Sequence, residues 1–319
     1  LYNTYWIEFD QPFESNRGFW KEEERQGRLT RARLDLLVFY YLTYKTLREL
    51  PITSLFQEFS LWWRTLDRSH TVEDRLIDLQ TYAHLFQSFF TDGAPSRLSV
   101  FIERLRILDT GTVYPLLLYL AGERTDIPPD EFDGIIADIE SYLVRRNVCG
   151  YPSQNYNQFF RSMLQDLSRR DNAGGLLPIT RQRVQQLLLA SSKVTSVWPT
   201  DEEFRVAWLT RAVYQINRKR AEMVLRAIDL HLMTHKQERL HIDGGISIEH
   251  IWPQNADPIV WGTLEPDQEH LVHTFGNLTL VTQSFNSILG NRPFAEKRKA
   301  IAQESALRMN VYFQKPIQA

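Results

Sequence analysis

Ile248-Glu249-His250-Ile251-Trp252-Pro253-Gln254, then Gly276-Asn277-Leu278-Thr279-Leu280-Val281, then Asn286, decide how the chain is read. The first stretch is a short β-prone segment that Pro253 cuts off. The second opens on a Gly-Asn turn and runs into another β-prone segment, and a helix is expected from about Gln283. Between them lies a long loop holding Pro253, Pro258, Gly262 and Pro266. A loop of that length in a compact domain is uncommon unless it has a task. His250, Asn277 27 residues later and Asn286 nine residues after that form an ordered polar triple. Nowhere else are polar side chains arranged like chemistry.

Such a set suits hydrolysis of a phosphodiester. An unperturbed imidazole titrates near pH ~6.5, so a neutral one can take a proton from water. A hard divalent ion held by oxygen donors can neutralise charge on a phosphate. His250 is the candidate general base, and the amide oxygen of Asn286 a candidate metal ligand. Asn277 can pin the loop or orient His250, and Glu249 offers a carboxylate. Adjacent strand residues point to opposite faces. Glu249 and His250 therefore share a site only if the strand ends or bulges there, and the nearby Pro253 makes an early end plausible.

Working outward, the 319 residues suffice for two domains, and 43% hydrophobic with 24% charged residues is ordinary for a folded protein. No apolar run reaches transmembrane length. The start shows neither an initiator Met nor a basic-then-apolar leader, which leads to the expectation of a piece of a longer protein without a signal peptide. A single cysteine, Cys149, excludes an internal disulfide and the Cys-rich zinc sites, and a reducing, cytoplasmic setting is the simplest fit. Cys149 has no evident His/Asp partner for nucleophilic work. Glu269-His270-Leu271-Val272-His273 lacks the His-Glu-x-x-His geometry of metalloproteases.

From about Thr30 to His235 the periodicity is helical, and no fixed-length repeat appears. Thr71 to Asp74 reads as a capping box with Asp92-Gly93 closing that helix, and further helices are expected over 97–108, 112–121, 130–147, 181–190, 201–215 and 219–235. The Trp62-Trp63 pair is expected in the core. Residues 1–29, aromatic and irregular, read as a docked connector, 30–238 as a large α-helical domain, and 239–319 as a small module after the Asp243-Gly244-Gly245 turn. The fold class is mainly α. The net charge of −2 hides basic clusters on both sides of the triple, including Lys219, Arg220, Lys297, Arg298 and Lys299, which can form a phosphate-attracting rim.

Ile-Glu-His-Ile-Trp-Pro-Gln, His273-Thr-Phe-Gly-Asn-Leu-Thr-Leu and Asn286 through Arg298 together resemble the C-terminal HNH domain of GmrSD-type modification-dependent restriction enzymes, a group with phosphorothioate-sensing members. The strand and the Asn-to-Asn spacing also resemble the HNH domain of RNA-guided CRISPR nucleases, whose carboxylate–His pair and second Asn correspond to Glu249, His250 and Asn286. The match is strong over 240–300 and weaker back through Trp198 and Cys149 to Tyr2. The resemblance implies a ββα-metal (His-Me finger) fold and Mg²⁺- or Mn²⁺-dependent nicking or cutting of phage or modified DNA in a bacterial cytoplasm. It also implies a nucleotide-hydrolysing N-terminal partner domain, since no Walker-type motif is present here, and it places His273 at the site. Two alternatives stand beside it: an idle DNA- or partner-binding module that keeps the fold, and cleavage of RNA.

Overall fold

The computed structural model describes residues 1–11, 18–26, 29–66, 71–91, 96–233 and 245–315. Its fifteen α segments and two short two-stranded sheets make the described chain mainly helical. It divides into two compact units: Leu1–Leu143 with Tyr151–Trp198, and Val144–Gly150 with Pro199–Ala319.

The first unit opens with α1 (Ile7–Asp10) and the antiparallel hairpin β1 (Glu23–Gln26) and β2 (Leu29–Ala32). Phe9 and Trp20 are buried with ring centroids 5.1 Å apart, so this aromatic segment is docked. Then come α2 (Arg33–Thr46), α3 (Leu55–Thr65), α4 (Val72–Ser88), α5 (Arg97–Leu108), α6 (Tyr114–Leu118), α7 (Pro129–Cys149), α8 (Tyr156–Leu167) and α9 (Arg181–Leu189). Thr71 and Asp74 form a reciprocal capping box, which satisfies two N-terminal amides of α4. The expected Asp92-Gly93 stop lies outside the described residues. In the core Tyr40 stacks on Tyr114 at 4.9 Å, and Phe86 meets Tyr114 edge-on at 5.8 Å. The Trp62-Trp63 pair is not core: α3 buries none of its residues, and Trp62 meets Tyr41 only edge-on at 5.8 Å.

In the second unit, α10 (Asp201–Thr210) starts on a Thr200–Glu203 capping box. The helix expected over 201–215 stops at Thr210, turns extended at Arg211, and resumes as one turn, α11 (Val213–Ile216). Asn217 caps α12 (Arg218–Leu232) by accepting from the Arg220 amide at 3.1 Å. β3 (Ile246–His250) pairs antiparallel with β4 (Leu278–Thr282), setting Glu249 opposite Thr279 and His250 opposite Leu278. The loop between them carries α13 (Pro258–Trp261) and 3₁₀ turns at Glu269–His273 and Phe275–Asn277. After β4 come α14 (Gln283–Leu289) and α15 (Phe294–Glu304). Val281, Phe285, Leu289 and Ile301 form the core that fixes both helices to the sheet.

α10 and α12 belong to this unit for packing reasons. Trp208 stacks on Phe275 at 4.0 Å, and Asp229 accepts a 2.9 Å bond from the Met309 amide. The boundary expected at 238/239 and most of the Asp243-Gly244-Gly245 turn lie outside the described residues, while the compact unit reaches back to Pro199.

Candidate active site at the end of β3

β3 ends at His250, and the chain leaves the sheet under the control of Asn277. The Asn277 carbonyl accepts from the Ile251 amide at 2.9 Å. Its side-chain oxygen accepts from the Trp252 amide at 2.7 Å, and its amide nitrogen donates to the carbonyls of Trp252 and Val272 at 2.9 and 2.8 Å. One side chain thus ties both ends of the long loop together. Among the described residues it makes no hydrogen bond to the His250 ring.

The ladder runs regularly through Glu249 and His250, and all five residues of β3 border one cleft, together with Tyr214, Arg218, Gln254, Asn286 and Lys297. His250 is only 6% exposed. The Tyr214 ring meets it edge-to-face at 4.4 Å, and the His273 ring at 5.5 Å. Among the described residues neither ring nitrogen has a short hydrogen bond: Nε2 is buried without a partner, and Nδ1 has only the Gln254 amide, at 3.5 Å. Burial first, then the charges of His273, Lys297 and Arg218, push the imidazole down to about 4. His250 is therefore neutral at physiological pH and keeps a lone pair. Burial also lowers His273, whose Nδ1 has no partner among the described residues.

Asn286, on α14, donates through Nδ2 to Ser247 Oγ and to the Ile248 carbonyl, both at 2.9 Å. A backbone carbonyl can only accept, so the amide nitrogen must face β3. The amide oxygen then turns away from the strand and accepts no bond among the described residues.

Lys297 departs from expectation. It is 1% exposed and lies on no basic rim. Its ammonium donates to Glu249 Oε1 at 2.5 Å and to the His250 carbonyl at 2.7 Å. α15 turns Lys297 inward because it sits one helical turn before the core residue Ile301. Glu249, 5% exposed, is therefore ion-paired rather than open, and burial raises its carboxyl against the pull of Lys297. Arg298 donates to the Lys315 carbonyl, and Lys299 is exposed. Lys219 is exposed and Arg220 half-buried, but neither lines the cleft; the neighbouring Arg218 does. Tyr214 escaped sequence reasoning, because nothing local marks the break at Arg211 that turns it to the site, while Arg218 reads in sequence as one more member of the basic cluster before the triple.

Among the described residues, no three His, Cys, Asp or Glu cluster as metal ligands. The Asn286 amide oxygen and the Glu249 carboxylate are hard oxygen donors of the kind that suits Mg²⁺.

No curated protein matches the chain. Residues 198–317 match the family model described as GmrSD restriction endonucleases, C-terminal domain.

Proposed function

We propose that the second unit is a divalent-metal-dependent DNA endonuclease of the HNH (ββα-metal, His-Me finger) kind. It nicks or cuts DNA in a modification-dependent restriction system acting against phage, with a nucleotide-hydrolysing N-terminal domain as its partner. One observation carries this reading: an imidazole and an amide oxygen, each without a short hydrogen bond among the described residues, border the same cleft at the end of a strand, in a stretch that matches the restriction-endonuclease family model.

Each residue then has a task. His250 accepts the proton of the attacking water, and its ring is held by Tyr214 and His273. Asn286 Oδ1 and the Glu249 carboxylate are the donors for Mg²⁺ or Mn²⁺, which when bound offsets the charge that builds on the phosphate. Asn277 keeps the loop closed behind the base. Arg218, exposed at the cleft, meets the phosphate backbone. The test is supercoiled plasmid incubated with the chain in Mg²⁺, Mn²⁺ or EDTA. Nicked or linear product in either metal and none in EDTA is expected. Intact plasmid under every condition leaves a domain that binds DNA or a partner without cutting.

A further inference from the structure

Burying an ammonium costs several kcal/mol unless it is paired and hydrogen-bonded, and an apolar pair of the same size often serves stability as well. Lys297 pays that cost at one particular place. Its two bonds go to consecutive residues of β3: the side chain of Glu249 and the backbone of His250. These are the residues whose side chains a regular strand would send to opposite faces. Both border one cleft, as does the rest of β3, and Lys297 reaches from α15 to the side chain of one and the backbone of the other.

We propose that Lys297 is a positioning residue: by gripping the Glu249 carboxylate and the His250 carbonyl together, it makes two adjacent strand residues serve one site. This rests on the nuclease reading above and adds a residue to its machinery. Lys297 touches neither water nor phosphate in this role. It acts through Glu249 and His250, as outer partners of metal ligands do in general.

Lys297→Met keeps the length of the side chain and removes its charge. The folded variant, checked by circular dichroism and melting, is expected to nick supercoiled DNA about 10–100-fold more slowly at saturating Mg²⁺. A folded variant with unaltered rate and unaltered half-activating Mg²⁺ concentration overturns the assignment and leaves a structural ion pair. Because the variant strands a buried carboxylate, the unaltered chain supplies a second measurement. Its Lys297 ¹⁵Nζ resonance, assigned by comparison with Lys297→Arg, is expected to move during a Mg²⁺ titration with the midpoint of nicking, and a resonance that stays put overturns the proposal. If the unaltered chain neither nicks nor responds to Mg²⁺, the nuclease reading falls and takes this inference with it. Nicking by that chain with an indifferent Lys297 sinks the inference alone.

Discussion

An imidazole carried from water into a cleft loses the hydration of its cationic form, and at His250 three neighbouring cationic or ionisable side chains add to that loss. Its folded value of about 4 lies below the usual 6.5, so between these values the unfolded chain binds more protons. The associated stability is fully present above pH ~6.5 and is lost as pH falls through the folded value, about 3 kcal/mol at most, less where the cleft admits water. His250→Gln should therefore lose less melting temperature than the unaltered chain between pH 7 and pH 4. Equal losses would place the acid sensitivity elsewhere. Glu249, shifted the opposite way, is present in both proteins and cancels in the comparison. The same depression sets the acid limb of kcat/KM for nicking below pH 6.5, and a limb at or above that value contradicts the neutral, buried base. Asn286→Ala removes the free amide oxygen, so the Mg²⁺ concentration for half-maximal nicking should rise. An unchanged metal titration assigns the ligand to another group.

At the scale of elements, the loop between β3 and β4 is closed by a single asparagine. Asn277→Ala strands the Trp252 amide and two carbonyls, and thermal or urea melting should show a loss of about 1–3 kcal/mol. Its half-activating Mg²⁺ concentration should stay within about twofold of the unaltered chain's once folding is allowed for; a larger shift would make Asn277 part of the metal site. Much at this scale was legible in the sequence. The strand–loop–strand–helix order follows from Pro253, the Gly276-Asn277 turn and β-prone runs. The helix starts at Thr71, Thr180 and Thr200 follow from side chains that accept the amide bond three residues on. What depends on distant partners was not legible. Lys297 reads as one member of a Lys-Arg-Lys run, and only its place four residues before Ile301, on the apolar stripe of α15, hints that it faces inward. Tyr214 reaches His250 because α10 breaks at Arg211, where no Pro or Gly gives warning. The Trp62-Trp63 pair looked like core from composition, yet a pair of large rings at the edge of a helical layer buries only one side.

For the molecule as a whole, a net charge of −2 argues against general attraction to DNA, so the proposed function needs cationic groups placed at the cleft itself. Lys297 no longer counts toward it, and Arg298 is engaged by the Lys315 carbonyl, so exposed Arg218 carries the strongest claim at the cleft. Arg218→Ala should weaken DNA binding alike on unrelated sequences and lower the slope of log K against log [salt] by roughly 0.9; an unchanged slope returns Arg218 to the solvent. The most direct measurement compares nicking of supercoiled plasmid by the unaltered chain and by His250→Gln in Mg²⁺. The glutamine nearly fills the ring's space beside Tyr214 and His273, so the variant should stay folded. The account predicts nicking by the unaltered chain and a rate lower by about 10²–10⁴-fold in the folded variant. Equal rates in the two proteins would contradict it.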